Sequence, residues 1–235
     1  MTQIPVEPVA RAGSVFGVAG RCARRRPVRV FDHDPDLLVG LDPAVARVVR
    51  QRCVADSLVV DRGRWRPPGE AQLGPGAIGL LVLDGLITRT VRLEGTESPE
   101  LIGEGDLLRP WDVDSIEGSL GLQPEWSVLQ RATVALLDER FARRACCAPA
   151  VVSALLGRTM RRSRGLAFQL AIAHLRHAEA RVRLLFWHLA ERWGRVTPAG
   201  VVVPLALTHA MVARLVCMRR PTVSAKLTLL GRTAS

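Results

Sequence analysis

Residues 207–230 read LTHAMVARLVCMRRPTVSAKLTLL and predict two short helices joined by a tight turn. Thr208 is a good N-cap for the first helix, and Leu207 with Val212 occupies the two positions of a hydrophobic staple. Pro221 suits the first turn of the second helix. The buried stripe of that helix is predicted to comprise Val223, Leu227 and Leu230. Two such helices on a basic background are typical of a DNA-binding helix-turn-helix.

The second helix would enter a major groove, and few of its side chains can specify a base. The face opposite its apolar stripe carries only small groups: Pro221, Ser224, Ala225 and Thr228. Base reading is therefore expected to depend mainly on Arg220, with Arg219 beside it, because arginine binds guanine O6 and N7 in a bidentate way. Contacts to phosphates orient a protein on DNA but do not read the base sequence. Such contacts are predicted for Thr208, His209, Thr222, Ser224 and Lys226.

The segment before this motif predicts a further helix and a hairpin. Residues 178–193 carry apolar side chains at helical spacing and are followed by Gly194, a typical helix stop. Residues 196–204 are expected to form a short hairpin that turns at 197–200. Residues 177–235 are thus predicted to be one DNA-binding domain.

The distribution of charge indicates a polyanionic partner. The 235 residues have a net charge of +11, and 32 of the 33 basic side chains are arginine. Residues 1–140 hold 17 basic and 20 acidic side chains, whereas residues 141–235 hold 16 basic and only 2 acidic ones. A surface this uniformly basic is an electrostatic footprint for nucleic acid, although RNA or an acidic membrane would attract it similarly.

The N-terminal half predicts an all-β unit preceded by a mobile extension. Residues 1–40 contain scattered prolines without a sustained period, so we expect most of them to be mobile. Residues 41–148 contain short β-rich runs separated by turns, typical of a sandwich or barrel. Asp84-Gly85 is predicted to be a hairpin turn between strands at 77–83 and 86–93. The loop-rich segment 109–125 is expected to cap the barrel, the alternative being that it lines a ligand pocket.

Residues 149–176 predict one long helix followed by a hinge. Pro149 is in a favourable first-turn position, and apolar residues recur at helical spacing up to Leu175. This apolar stripe has no obvious partner within the chain, so pairing with a second copy is expected, as well as packing on the β domain. His174 and His177 are more readily explained as part of a polar hinge than as a metal site.

These motifs together resemble the Crp/Fnr family of bacterial transcription regulators. The run 207–230 resembles that family's helix-turn-helix, RVRLLFWHLAERWGRV resembles its preceding helix, and GLLVLDGLITRTV with ELIGEGDLLRPW resembles its cyclic-nucleotide-binding-like β-roll. The resemblance implies an α+β chain: a jelly roll (double-stranded β-helix), a dimerisation helix and a winged helix. It also implies a homodimer on a palindromic operator, with RNA polymerase as a further partner. A cytoplasmic protein is expected for a separate reason, because the sequence predicts neither a spanning helix nor a signal peptide. Arg220 matches the family's base-reading arginine, and Thr208, Thr222 and Ser224 match its DNA-contacting polar positions.

Three departures from the family's pattern qualify these expectations. The phosphate-binding cassette is missing after Gly105-Asp106, which argues against cyclic AMP and leaves the effector unidentified. The family's turn glycine is Cys217, and a Cβ at positive φ costs about 1 kcal/mol. The family's wing strands are expected to be truncated, since little sequence follows residue 230.

Other classes of function have less support in the sequence. The five cysteines lack disulfide or zinc spacing, and no catalytic triad, metal motif or Gly-rich phosphate loop is present, so an enzyme is not expected. No apolar run is long enough for a membrane span, and no signal peptide is evident. The remaining alternative is a degenerate regulator that acts through protein partners without binding DNA.

Overall fold

The computed structural model describes residues 25–112, 124–198 and 200–233, with side chains described up to residue 229. Nine strands lie in these residues: β1 (Arg26–Arg29), β2 (Val54–Val60), β3 (Gly63–Trp65), β4 (Gly79–Leu93), β5 (Thr96–Gly103), β6 (Leu107–Leu108), β7 (Glu125–Leu137), β8 (Arg195–Thr197) and β9 (Gly200–Val202). The helices among them are α1 (Val30–His33), α2 (Pro43–Arg52), α3 (Glu70–Leu73), α4 (Glu139–Ala145), α5 (Pro149–Ala173), α6 (Ala178–Trp193), α7 (His209–Leu215) and α8 (Arg220–Thr233).

The first seven strands form one antiparallel sheet that is rolled around an apolar interior. The strand order is β1-β2-β7-β4-β5, with β3 paired to β7 and β6 paired to β4. Five side chains of the interior cluster are fully buried: Leu80, Val82, Ile87, Ile102 and Val134. The predicted α+β class is confirmed: the β-roll contains the short helices α1 to α3 between its strands, and the longer helices α5 and α6 follow it.

The predicted hairpin turn at Asp84-Gly85 is wrong, because β4 runs through it as one strand of 15 residues. β4 pairs with β7 on both sides of the dipeptide, and the register shifts there mark a bulge. Gly85 is needed in the bulge since its φ is +93° and a Cβ would lie 2.3 Å from the carbonyl oxygen of Arg131. The reversal occurs instead at Glu94-Gly95, whose φ angles of 46° and 77° fit a two-residue hairpin loop.

The prediction of a mobile extension over residues 1–40 is wrong for the part that the structure describes. Residues 26–29 form strand β1 and pair with β2. Val30, Phe31 and Leu37 are 0–1% exposed, and the Phe31 ring lies 6.3 Å from the ring of Phe141 in α4. Asp34 is paired with Arg158 of α5, and both side chains are buried. Residues 1–24 lie outside the described part of the chain.

The long helix is confirmed as α5, which contains 25 residues and begins at Pro149. One face, with Val151, Leu155 and Ile172, is buried against the same chain. His174 occupies the C-cap position of α5 and His177 the N-cap position of α6, where its side chain makes no capping hydrogen bond, so residues 174–177 form the break between the two helices. Among the described residues, no group of three or more His, Cys, Asp or Glu side chains is arranged to hold a metal ion.

The start of the 109–125 segment packs onto the roll. Trp111 packs against the interior apolar cluster, and the Arg109 guanidinium lies 5.3 Å from the Trp111 ring. Residues 113–123 lie outside the described residues, so the choice between a cap and a pocket wall is a prediction for them. No helix in the described ranges is both long and apolar enough to cross a membrane.

Candidate nucleic-acid interface

Helices α7 and α8 form the helix-turn-helix that the sequence predicts. The Thr208 hydroxyl accepts a hydrogen bond from the backbone N–H of Met211 at 3.2 Å, which confirms it as the N-cap of α7. Cys217 stands in the turn with a φ of +52°, and the N–H of Met218 donates to the Ala213 carbonyl at 2.8 Å. The turn therefore adopts the left-handed conformation that favours glycine, with a cysteine in its place.

A shared apolar core fixes the angle between the helices of this domain. Val223 of α8 is fully buried, and Leu227 is partly buried against the same cluster. Buried partners come from α6 and α7: Val182, Leu185, Leu189, Met211, Val212, Ala213 and Leu215. The predicted stripe of α8 is confirmed for Val223 and Leu227, whereas the side chain of Leu230 is not among those described.

The face of α8 that turns away from this core carries the predicted base-reading residues. Arg219, Arg220 and Thr222 are exposed, and Ser224 and Lys226 are half-buried. Within the described residues, neither the Arg219 nor the Arg220 guanidinium has a hydrogen-bond or ion-pair partner. Two arginines at the start of an exposed helix are thus available for an external ligand.

One contact in the motif was not predicted from the sequence. Nδ1 of His209, at the start of α7, lies 2.9 Å from the Ser224 hydroxyl in the second turn of α8. This hydrogen bond brings two of the predicted phosphate-contacting residues together and holds the two helices in register. Three other residues were predicted for phosphates. Thr208 is the N-cap of α7, whereas Thr222 and Lys226 lie on either side of Ser224 in α8 and make no such contact within the described residues.

The basic C-terminal part obtains its acidic partners from the β-roll. Residues 192–235 contain no Asp or Glu, yet Arg192 pairs with Asp106 and Arg214 donates to Glu97 at 2.6 Å. Glu97 lies in the edge strand β5, and Asp106 lies in the turn between β5 and β6. Among the described residues these ion pairs do not include Arg219 or Arg220, so both arginines at the start of α8 keep an uncompensated positive charge.

The same edge of the roll also packs directly against the helix-turn-helix domain. A Cβ at Gly103 would lie 2.8 Å from Nε1 of Trp193, so only glycine lets the indole approach this closely. Leu86 and Leu101 of the roll belong to the apolar cluster of the helix-turn-helix domain. Burial raises the pKa of Asp106, while the Arg192 guanidinium opposes that shift. The two units are therefore docked by apolar, steric and ionic contacts.

His188 of α6 packs against α5, and we expect it to make the contact between these two helices sensitive to pH. The His188 ring is 5.1 Å from the Phe168 ring, and burial together with the nearby Arg192 lowers the pKa of His188 below 6.5. Because folding favours the neutral ring, its contribution to stability is complete above pH 6.5 and is lost as the pH falls below it. We expect His188→Gln to lose less thermal stability than the parent between pH 7.5 and 5.5. Melting curves followed by circular dichroism measure this; equal losses would contradict it.

Comparison with known proteins identifies the fold. No protein-family profile and no curated protein sequence matches the chain. Among solved structures, a cyclic nucleotide-binding domain containing protein from Listeria monocytogenes EGD-e is similar with a TM-score of 0.58 at 15% identity, covering 75% of this chain and 82% of that one. FixK2 from Bradyrhizobium japonicum has a TM-score of 0.53 at 16% identity, covering 76% and 85%.

A third similar structure is a CprK variant complexed with OCPA, with a TM-score of 0.53 at 16% identity over 80% of this chain and 82% of that one. The chain has the Crp/Fnr-type regulator fold. The resemblance in the sequence is thereby confirmed at the level of fold, since identities this low carry no residue roles with them.

Proposed function

We propose that the chain is a DNA-binding transcription regulator that reads its operator through α8. The observation that carries the proposal is the pair Arg219-Arg220, exposed and without a partner among the described residues, at the start of the second helix of a helix-turn-helix. Arginine in this position suits guanine in the major groove, and the acid-free stretch 192–235 supplies the attraction to phosphates.

Selection from a random pool of double-stranded DNA, followed by fluorescence anisotropy on the enriched sequence, tests this function. We expect the logarithm of the association constant for DNA to fall linearly with the logarithm of the salt concentration. If two basic side chains in each of two protomers each neutralise one phosphate, the slope is roughly −3 to −4. No retention of DNA at low salt would contradict the proposal and favour the alternative of a regulator that acts through protein partners.

We propose further that two copies pair along α5. Its outward face carries Val152, Leu156, Met160 and Leu170, all 40–61% exposed, with the small residues Ser163 and Ala167 in the same row. Intervals of four and three residues place these side chains on one stripe. The arginines of α5 all lie off this stripe: Arg158, Arg161, Arg162 and Arg164. A second copy would cover the stripe and place two α8 helices for a palindromic operator.

The residues after the Gly105-Asp106 turn do not fit the phosphate of a cyclic nucleotide. Leu107 and Leu108 are buried in β6 and pair with β4. The Arg109 guanidinium is engaged by Asp112 and by the carbonyl oxygen of Ala77 at 2.7 Å. With its arginine used internally, this segment supports the proposal that any effector is not cyclic AMP. Isothermal titration with cyclic AMP should show no binding.

A further inference from the structure

The exposed face of α8 offers carbon surface beside its arginines. Pro221, Ala225 and Thr228 are separated by four and three residues, so they share one face, and all three are exposed. This face points away from the buried side chain of Val223. If Arg220 enters a major groove, this row follows it into the groove.

Two hydroxyl groups on or beside this row, those of Thr228 and Ser224, already form hydrogen bonds inside the protein. The Thr228 hydroxyl donates to the Ser224 carbonyl oxygen at 3.0 Å, one turn back along the same helix. The Ser224 hydroxyl is bonded to Nδ1 of His209. The hydroxyl hydrogen of Thr228 is therefore already used inside the helix, and what Ala225 and Thr228 add to the surface is a methyl group each.

A major groove presents one apolar group to such a surface. Among the four base pairs only those with thymine carry a methyl group there, at C5, and alanine and threonine methyl groups are suited to contact it. Along the helix axis Ala225 and Thr228 are about 4.5 Å apart at a rise of 1.5 Å per residue. Neighbouring base pairs are about 3.4 Å apart, so the two methyl groups match adjacent or nearly adjacent positions.

We infer that Ala225 and Thr228 are specificity-determining residues that read thymine methyl groups next to a guanine bound by Arg220. The half-site would then combine one guanine with a thymine-containing step a few base pairs away. This inference rests on the proposed function, since it names the sequence class that the same site takes.

Replacing each thymine of the selected operator by deoxyuridine tests the inference, because this exchange removes only the C5 methyl group. We expect affinity to fall roughly 3- to 5-fold at each contacted thymine, from the loss of one buried methyl. Ala225→Gly and Thr228→Ser remove the matching methyl from the protein. Each should bind its thymine and deoxyuridine operators equally well, while the preference for guanine is retained.

A matched control is Thr159→Ser on α5, where the threonine hydroxyl likewise donates to a carbonyl oxygen of its own helix. This variant should keep the full discrimination between thymine and deoxyuridine. Melting curves of Ala225→Gly establish that the helix remains folded, since glycine costs a helix about 1 kcal/mol.

The outcomes separate the inference from the proposed function. If deoxyuridine has no effect at any position while guanine is still preferred, thymine reading is overturned and DNA binding stands. If Thr228→Ser and Ala225→Gly both retain the parent's discrimination, other residues read the methyl groups and the inference is again overturned. If no DNA is retained at low salt, the proposed function fails and the inference fails with it.

Discussion

Arg220→Ala is expected to abolish the preference for the guanine of the selected operator while leaving the protein folded. A bidentate arginine–guanine contact contributes roughly 1–3 kcal/mol of discrimination, which corresponds to about 5- to 150-fold in relative affinity. The side chain is exposed and has no partner within the described residues, so its removal costs no internal contact. Anisotropy titrations on operators that carry guanine or adenine at that position measure the ratio directly.

The matched control for this prediction is Arg183→Ala on the exposed side of α6. It removes the same charge from the same basic half of the chain, so it reports how much of the effect is general electrostatic attraction. We expect Arg183→Ala to keep the parent's ratio between guanine and adenine operators. A ratio in Arg220→Ala equal to the parent's would show that another residue reads the base.

The C-terminal half of the fold could be predicted residue by residue because its determinants are local. Helix α6 begins and ends where the apolar spacing and Gly194 place it, at Ala178 and Trp193. The N-cap at Thr208 also follows from a short motif, and the positive φ at Cys217 was expected from its match to the turn glycine of the resembled family. Each of these features depends on residues within about one helical turn, and such features are readable in a single sequence.

The roll was less predictable, since turn chemistry alone does not decide where a chain reverses. Asp84-Gly85 and Glu94-Gly95 are both acidic-glycine pairs between β-rich runs. Only the second reverses the chain, while the first is a bulge held by pairing with β7, a strand more than 40 residues away in sequence. Pairing partners at that separation leave no local pattern.

Burial of residues 26–37 depends on tertiary contacts in the same way. Phe31 is buried by Phe141, and Asp34 is paired with Arg158, partners that lie more than 100 residues further along. No periodicity marks these positions, because the segment consists of a short strand and single turns of helix rather than one long element. The prediction of mobility was wrong here because it relied on the absence of a regular spacing of apolar residues.

The candidate site was predictable in its residue types and not in its internal contacts. The sequence places Arg219 and Arg220 at the start of α8, and the structure exposes both. The hydrogen bond between His209 and Ser224 depends on the angle between two helices, which composition does not specify. The packing of Trp193 against Gly103 could not be predicted from the sequence either, since the two residues come from different domains.

The α5 stripe leads to the second prediction of large effect. Leu156 is 61% exposed in the N-terminal part of this stripe. Leu156→Glu would place a carboxylate, once from each protomer, in the interface that we propose for a symmetric dimer. Losing the burial of two leucines costs about 3–6 kcal/mol, which is on the order of 100- to 10⁴-fold in the dimer dissociation constant. We expect the variant to be monomeric at micromolar concentration in sedimentation velocity.

Operator binding by this variant is expected to weaken about 100-fold or more, because two half-sites are no longer engaged by linked domains. Val39→Glu is the control: Val39 is 76% exposed in the turn before α2 and lies outside the α5 stripe, so the same charge there should leave both dimer and DNA binding unchanged. Melting curves should show both variants folded, since neither side chain is buried in the single chain. A dimeric Leu156→Glu protein would place the interface elsewhere, whereas a monomer that still binds the full operator tightly would separate DNA recognition from dimerisation along α5.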